Sequence, residues 1–312
     1  MNNRKLKIYI AGHTGLVGSA ILNRLKREGY ANLLTKTHRE LDLVRQLDVG
    51  RFLRKEKPEI VILAAAKVGG IFANMSHPVQ FLYDNICIQI NIINSAFQAG
   101  VRKLLFFGSA CSYPRKCPQP IKEEYLLSGP VEPTNEPYAI AKIAGIKMCQ
   151  AYNKEYGTNF ISVIPANAYG PGDNFSPDNS HVIPSLIGKF HRSKIEKKKY
   201  VTVWGTGRPL RDFIYVDDLA DACLFLMRHY NGSDIINVGS GCGVSIRELA
   251  CTIKKITGFN GNIIFDSSKP DGMPKKILDM SRLKRLGWQP RVSLKKGIAD
   301  TYRWYRKWQP GL

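Results

Sequence analysis

The sequence has no long apolar run and no signature of a secreted protein. Its uninterrupted apolar stretches fall short of the ~18 residues that a membrane-spanning helix needs. The first residues, MNNRKLKIYIAG, enter a short apolar segment at once, without the apolar region and small-residue cleavage site of a secretory signal. Hydrophobic residues make up 44% of the 312 positions, an ordinary globular composition. We therefore expect a globular cytoplasmic protein that does not contact a membrane.

Cysteine is sparse and scattered. There are seven cysteines, an odd number, and no C-x-x-C pair or His/Cys cluster with metal-ligand spacing. Cys111 and Cys117 lie six residues apart, but a disulfide between them is not expected in a reducing compartment. Small buried thiols are the default interpretation for Cys87, Cys117, Cys149, Cys223, Cys242 and Cys251. No metal site is predicted.

Acidic residues are few beside basic ones, 25 against 46, and the net charge is +21. Such a charge suits nucleic acid, an anionic membrane or a phosphorylated ligand. The densest basic run, KFHRSKIEKKKY at 189–200, lacks the interleaved aromatics and the recognition signatures of nucleic-acid binders. A solvated surface is the favoured interpretation of this run, and a basic nucleic-acid-binding protein remains a remote alternative.

The first half of the chain alternates short apolar strands with helical segments. This alternation predicts an α/β fold, a Rossmann-type doubly wound parallel sheet covered by helices on both faces. The predicted strands are 7–12, 32–37, 59–66, 103–109 and 159–166, and the predicted helices are 16–29, 44–56, 78–99 and 137–156. For the last of these helices, Thr134 is a candidate N-cap, Pro137 belongs to the first turn and Gly157 is the stop.

The pattern loosens after residue 167, where a polar loop rich in glycine, proline and asparagine covers 169–181. Later helices at 216–230 and 245–258, with a strand at 262–266, predict a smaller mixed α/β lobe. We expect one domain of 1–167 with roughly 214–240, and a second domain of roughly 168–213 with 241–312.

The segment AGHTGLVG places Gly12, Gly15 and Gly18 between the first strand and the first helix. Glycines there permit a tight turn, close approach to a pyrophosphate and close packing of the helix on the strand. The second strand then ends in Lys36, Thr37, His38 and Arg39, with no acidic residue for a ribose hydroxyl. A basic strand end suits the 2′-phosphate of NADP, although ordinary surface cations are the alternative.

Tyr138 and Lys142, in EPYAIAKIAG, lie four residues apart and therefore on one face of a helix. A lysine cation near a phenol is expected to lower the pKa of the phenol, which makes tyrosine a usable proton donor. Ser109 follows a predicted strand in FFGSACSYP, two residues before Cys111. The local motif alone leaves three interpretations of Cys111 open: a small core hydrophobe, a redox thiol, or a catalytic acid–base group.

The glycine loop with Ser109, Tyr138 and Lys142 resembles the extended short-chain dehydrogenase/reductase family. Longer segments are similar to the GDP-L-fucose synthase family over residues 6–305, namely AGHTGLVGSA, LAAAKVGGI, NEPYAIAKIAGIK, NSHVIPSLI and WGTGRPLRDFIYVDDLA. The resemblance implies a homodimeric, NADPH-dependent enzyme that epimerises C3 and C5 of GDP-4-keto-6-deoxy-D-mannose and reduces C4, forming GDP-L-fucose. A 4-reductase of a related GDP-4-keto-6-deoxy sugar, such as a heptose, with or without epimerisation, is the alternative.

The resemblance also implies domain and residue roles. The domain of 1–167 with roughly 214–240 would be an NADP-binding Rossmann domain, and that of roughly 168–213 with 241–312 would be a GDP-sugar-binding, substrate-binding domain. Cys111 and His181 correspond to the proton-exchange pair, and a thiol and an imidazole both titrate near neutral pH. Ser109 and Tyr138 would face O4, while Lys142 would hold the nicotinamide ribose. The matching cofactor positions are Gly12, His13, Thr14, Gly15, Leu16, Val17, Gly18, His38, Arg39, Phe107, Gly108, Ser109, Ala110, Lys142, Pro165, Ala166, Asn167, Ala168 and His181.

The matching substrate positions are Lys189, Trp204, Arg211, Asp271 and Lys276. The fork of Arg211 suits a diphosphate, and the resemblance alone assigns Asp271 to a ribose or base. A core aromatic is the alternative for Trp204. Departures from the family pattern include Thr14 and Lys189, where arginine is common, so cofactor preference and diphosphate affinity are less firmly implied.

Overall fold

The computed structural model describes residues 3–176, 180–269 and 271–308. In chain order the strands are β1 (Ile8–Ala11), β2 (Leu33–Leu34), β3 (Ile60–Leu63), β4 (Lys103–Phe107), β5 (Phe160–Pro165), β6 (Asn167–Tyr169), β7 (Tyr200–Trp204), β8 (Leu210–Tyr215), β9 (Ile236–Val238), β10 (Gly243–Ser245), β11 (Asn262–Asp266) and β12 (Lys275–Lys276). The α-helices are α1 (Leu16–Arg27), α2 (Gln46–Glu56), α3 (Ile71–Ser76), α4 (Pro78–Gln98), α5 (Glu136–Tyr156), α6 (Val182–Ile195), α7 (Val216–His229), α8 (Ile246–Thr257), α9 (Ser281–Arg285) and α10 (Leu294–Trp308).

The main sheet has six parallel strands in the order β2-β1-β3-β4-β5-β9. β1, β3 and β4 are buried along their whole length because helices cover both faces, which is why their sequences read as continuous apolar runs. The predicted α/β Rossmann-type fold is confirmed. The order reverses at β1, so a ligand crevice is expected beside the carboxyl ends of β1 and β3.

A second, smaller group of strands follows the main sheet along the chain. β8 pairs in parallel with β6 and β12 and antiparallel with β10, and β7 pairs with β11. A separate hydrophobic cluster fills this region with side chains from α6, α8 and α10, including Ile187, Ile253 and Tyr302. β6, β8, β10 and β12 form the second sheet, while β7 and β11 form a separate two-stranded sheet. β6 directly follows β5, so the second sheet continues directly from the main sheet along the chain. The domain boundaries stay a prediction.

The predicted N-cap of α5 is wrong. Asn135 occupies that position, while Thr134 lies inside a short 3-10 turn, Pro133–Asn135. The hydroxyl of Thr134 donates to Glu132 at 3.4 Å instead of capping the helix. The other two predictions for the ends of α5 are confirmed. Pro137 lies in the first turn, and Gly157 ends the helix with a φ of 66°.

α4 and α5 lie together against the sheet, and one glycine sets how closely they approach it. Gly145 of α5 faces the ring of Phe106 in β4 and the side chain of Gln89 in α4. Gln89 donates a hydrogen bond to the carbonyl of Ala141. The absence of a side chain at Gly145 therefore fixes the position of the helix that carries Tyr138 and Lys142.

We predict that Gly145→Ala destabilises the protein. The added Cβ would lie 2.3 Å from Cζ of Phe106 and 2.7 Å from Oε1 of Gln89, and overpacking of this kind costs ~1–3 kcal/mol. Gly50→Ala in α2 is the matched control, since its Cβ would meet only the movable end of Arg54 at 3.2 Å, and helix propensity favours alanine by ~1 kcal/mol. Urea unfolding measures both, and equal stabilities of the two variants would contradict the packing argument.

Candidate active site

One large cavity, about 880 Å³, opens at the carboxyl ends of the main-sheet strands. Much of its lining comes from the residues that follow β1, β3, β4 and β5, which the parallel sheet brings to one edge. This is the crevice that the strand order predicts.

The glycine loop forms one end of the cavity. Gly12 has a φ of 85°, and a Cβ on Gly18 would lie 2.1 Å from the carbonyl oxygen of Gly12. Gly15 is the N-cap of α1, whose first turn lines the cavity and carries no acidic side chain. Backbone N–H groups and the positive helix end there attract an anion, so the loop fits a dinucleotide pyrophosphate. His13 does not line the cavity.

The end of β2 supplies the basic residues beside the glycine loop. Lys36 and His38 line the cavity, whereas Arg39 does not. Lys36 pairs with Glu40 at 3.3 Å, and Nδ1 of His38 lies 3.8 Å from the carboxylate of Asp42. The ammonium of Lys36 and the imidazole of His38 thus lie where the sequence predicted contact with a 2′-phosphate.

Ser109, Tyr138 and Lys142 meet at the centre of the same cavity. Lys142 is 4% exposed, and its ammonium donates to the carbonyl of Phe107 at 3.0 Å and lies 5.8 Å from the ring centroid of Tyr138. Burial lowers the pKa of Lys142 to about 8. The geometry holds the lysine under the tyrosine ring, although its hydrogen bond goes to the backbone.

The expected lowering of the Tyr138 pKa is wrong for the protein alone. Burial raises the pKa of Tyr138 well above that of a free phenol, and negative charge on Cys111 adds to the increase. A hydrogen bond with Ser109 opposes this effect without reversing it. The described hydrogen bond of the Lys142 ammonium goes to the carbonyl of Phe107 and not to the phenol. Tyr138 therefore stays protonated at neutral pH.

Cys111 lies in the short 3-10 turn Ala110–Ser112, whose N-cap is Ser109. Its sulfur accepts hydrogen bonds from Nδ2 of Asn135 at 3.1 Å and from Nζ of Lys276 at 3.3 Å. Burial raises the pKa of the thiol, but the charge of Lys276 and the hydrogen bonds from Ser109, Lys276 and Asn135 together lower it below the ordinary value. All seven cysteines are free thiols.

His181 reaches the cavity from a different element, as the N-cap of α6. Burial lowers the pKa of its imidazole. The ring is therefore neutral at physiological pH and can accept a proton. The cavity thus brings His181 together with Ser109, Cys111, Tyr138 and Lys142, the five residues assigned to catalysis.

Of the predicted substrate residues, Lys276 alone lines this cavity. Trp204 is 61% exposed, so the core interpretation of it is wrong, and the ammonium groups of Lys189 and Lys269 lie 5.6 and 5.8 Å from its ring centroid. Arg211 donates to the carbonyls of Leu210, Met273 and Asp271.

The Asp271 carboxylate is held by the backbone and hydroxyl of Thr206, at 2.7 Å each. Arg211 and Asp271 therefore form one cluster, because the guanidinium bonds the Asp271 carbonyl at 3.3 Å.

The cavity also has lining residues that the sequence did not single out. Asn135 bonds Cys111, and burial raises the pKa of Asp173 to about 7. Others come from the segment before α2, the segment after β3, the helices α3 and α4, and the segment after residue 171. They are Leu41, Asp42, Leu43, Val44, Ala64, Ala65, Ala66, Lys67, Val68, Gly69, Asn74, Phe81, Asp84, Ile88, Gly172 and Asn174. The glycines of LAAAKVGG and YGPG marked these turns, but neither motif names a chemical role for the neighbouring side chains.

The remaining cofactor positions of the sequence analysis also line the cavity. They lie at or after the ends of β4 and β5 and comprise Phe107, Gly108, Ala110, Pro165, Ala166, Asn167 and Ala168.

No helix among residues 3–176, 180–269 and 271–308 is long and apolar enough to cross a membrane.

A doubly wound parallel sheet, with a glycine loop and a Ser–Tyr–Lys cluster in one cavity, defines a dinucleotide-binding oxidoreductase or epimerase class. The model of the NAD dependent epimerase/dehydratase family matches residues 8–239, and the chain belongs to that family.

Similar proteins extend this likeness over nearly the whole chain. The GDP-L-fucose synthase 1 of Arabidopsis thaliana is 56% identical over 307 residues, which cover 98% of this chain and 95% of that relative. The GDP-6-OMe-4-keto-L-xylo-heptose reductase of C. jejuni superposes with a TM-score of 0.95 at 38% identity, covering 98% and 99% of the two chains. The GDP-L-fucose synthetase of Naegleria fowleri, solved with NADP, gives a TM-score of 0.92 at 32% identity, covering 99% and 95%.

We predict that Lys36→Gln selectively weakens NADPH use. A charge-assisted hydrogen bond to phosphate is worth ~1.5–3 kcal/mol, so the KM for NADPH should rise about tenfold or more, while the KM for NADH should change little. Arg39→Gln, outside the cavity lining, is the matched control. Steady-state kinetics with both cofactors measures the change, and an equal loss with NADPH and NADH would refute the 2′-phosphate contact.

Proposed function

We propose that this protein is an NADPH-dependent 3,5-epimerase and 4-reductase that converts GDP-4-keto-6-deoxy-D-mannose to GDP-L-fucose. The observation that carries the proposal is a hydrogen-bonded thiol, Cys111, in the cavity that also holds Ser109, Tyr138 and Lys142. The last three suffice for a ketoreductase. A polarised thiol beside them adds the means to exchange protons next to the carbonyl.

NADP is the cofactor, and the residues present fit it. The glycine loop and the first turn of α1 would hold the pyrophosphate, and Lys36 and His38 would hold the 2′-phosphate. Lys142 and the segment 165–168 would hold the nicotinamide end. When bound, NADPH supplies the hydride that reduces C4 of the sugar.

Proton exchange precedes reduction. The C3 and C5 hydrogens of the substrate are acidic because they flank the C4 ketone. Cys111, as a thiolate, removes a proton, and His181 exchanges protons with the sugar from another side of the cavity. The enolate oxygen that develops at O4 is stabilised by hydrogen bonds from Ser109 and Tyr138.

Reduction uses the same oxygen contacts. Tyr138 stays protonated in its buried position, so it has a proton to donate to O4 when hydride reaches C4. Ser109 orients O4, and the Lys142 cation stabilises the phenolate that remains.

The nucleotide part of the substrate extends toward β7, β8 and β12. Arg211 and Lys189 are the cations for the diphosphate, and Trp204, exposed between two lysines, offers a flat apolar surface to the base or ribose. Asp271 completes the cluster through its carboxylate.

Reduction of a related GDP-4-keto sugar is the second candidate, and the TM-score of 0.95 with a GDP-heptose reductase favours it. The identity to that reductase is 38%, against 56% to the Arabidopsis fucose synthase, which supports the fucose reaction. Comparing turnover of the 6-deoxymannose and heptose substrates distinguishes the two.

We further propose a cytoplasmic homodimer that pairs through α4 and α5. These long helices carry large apolar side chains that are exposed in the single chain, including Val79 (74%), Tyr83 (59%), Ile90 (42%) and Ile140 (46%). Exposed apolar surface of this kind marks an interface between proteins. The free thiols suit a reducing compartment.

Ile90→Glu should therefore convert the dimer to a monomer, because it places a charge in the apolar interface. Leu47→Glu in α2, at a side chain that is 69% exposed and belongs to neither α4 nor α5, is the matched control and should leave the mass unchanged. Light scattering coupled to size exclusion measures both. The same mass for both variants would contradict pairing through α4.

Cys111→Ser and Tyr138→Phe should separate the two halves of the reaction. A serine is far less acidic than a thiol, so Cys111→Ser should reduce solvent-proton exchange at C3 and C5 by about 10²-fold or more. Tyr138→Phe removes the proton donor and should lower the rate of NADPH oxidation by a similar factor while exchange continues. NMR of the sugar and absorbance at 340 nm measure the two rates. Equal losses of both steps in each variant would defeat this division of labour.

A further inference from the structure

Lys276 contacts Cys111 across a long sequence separation. The cysteine follows β4 of the main sheet, whereas Lys276 ends β12 of the second sheet. Nζ of Lys276 lies 3.3 Å from the sulfur, and Nδ2 of Asn135 lies 3.1 Å from it on a third element. The sulfur therefore has a cationic and a neutral donor, both from outside its own turn.

We propose that Lys276 and Asn135 are positioning residues that hold Cys111 as an oriented thiolate, so that the second sheet controls the proton-exchange half of the reaction. The proposal deepens the proposed function and rests on it for the chemistry that the thiolate performs. It gives Lys276 a different role from the substrate contact that its sequence position implies.

The charges around Cys111 single out Lys276. Arg211 and Tyr138 also interact electrostatically with Cys111. Arg211 directs its guanidinium to backbone carbonyls, and Tyr138 is neutral when protonated. Lys276 combines a positive charge with a direct hydrogen bond to the sulfur, and a cation at this distance is the usual means of stabilising a thiolate.

Cys117 provides an internal comparison. The charge of Lys276 also acts on Cys117, but burial outweighs it and raises the pKa of that thiol. The described hydrogen bond to the Cys117 sulfur is a long one from Gln119, at 4.0 Å. Proximity to Lys276 is therefore not sufficient, and the direct hydrogen bonds distinguish Cys111.

The backbone keeps Lys276 in place. Ile277, the next residue, donates its N–H to Gln119 at 3.0 Å and accepts from the N–H of Ile121 at 2.7 Å. The segment 119–121 follows the turn that contains Cys111, so these hydrogen bonds link the end of β12 to the segment that carries the thiol. Lys276 is also the register partner of Arg211 in β8. The thiolate contact and the diphosphate cation thus occupy adjacent positions of one ladder.

Alkylation of the resting enzyme tests the proposal without substrate. Iodoacetamide reacts with the thiolate, so the pH profile of Cys111 labelling, measured by peptide mass spectrometry, reports its ionisation. In Lys276→Met the midpoint should move to higher pH and the thiolate fraction at pH 7 should fall about tenfold or more. Lys276→Arg should retain a low midpoint. Cys242, which is exposed, should label identically in all three proteins.

An unchanged Cys111 midpoint in Lys276→Met would overturn the proposal, and so would Lys276→Arg behaving like Lys276→Met. With substrate, Lys276→Met should shift the acidic limb of the C3/C5 exchange profile to higher pH, with exchange recovering at alkaline pH. A higher KM with an unaltered labelling profile would instead make Lys276 a substrate contact only. Because labelling needs no substrate, the thiolate result stands or falls independently of which sugar is turned over.

Discussion

The parallel arrangement of β1, β3, β4 and β5 is the constraint on which the site depends. Parallel strands end at the same edge, so the chain leaves the sheet four times around one cavity. Two close helix-to-strand contacts, each at a glycine, bring α1 and α5 to this edge of the sheet. Gly18 lets α1 begin directly over Gly12, and Gly145 lets α5 lie close to β4. Close backbone packing therefore determines the positions of the glycine loop, Ser109 and Tyr138.

Burial shifts the pKa of several titratable groups in the cavity, and specific partners reverse its effect at Cys111. It lowers the pKa of Lys142 and His181 and raises that of Tyr138 because the charged form loses water in each case. Cys111 is partly buried, yet its pKa is lowered, since the charge of Lys276 and the hydrogen bonds with Ser109, Asn135 and Lys276 itself offset the loss of water. The site thus holds a neutral phenol and an ionisable thiol close together, one suited to donating a proton and the other to removing one.

Much of this could be predicted from the sequence. Buried strands such as IVIL read as continuous apolar runs, and the glycine spacing identified the cofactor loop. The Tyr138–Lys142 spacing placed both on one helix face, but it could not show that the Lys142 hydrogen bond goes to Phe107. The Cys111–Lys276 contact spans 165 residues between two sheets, and no local pattern encodes it. The sequence analysis also did not predict a role for Asn135. It placed the N-cap of α5 at Thr134, but a 3-10 turn precedes the helix and moves the N-cap one residue along, to Asn135.

The central claim is that one cavity performs both proton exchange and hydride transfer. The most direct test incubates the unmodified protein with GDP-4-keto-6-deoxy-D-mannose in D2O without NADPH and follows the sugar by NMR. The account predicts deuterium at C3 and C5 while the C4 ketone remains, because Cys111 and His181 need no hydride donor. A sugar that is reduced when NADPH is added, yet carries no solvent deuterium at either carbon, would contradict it.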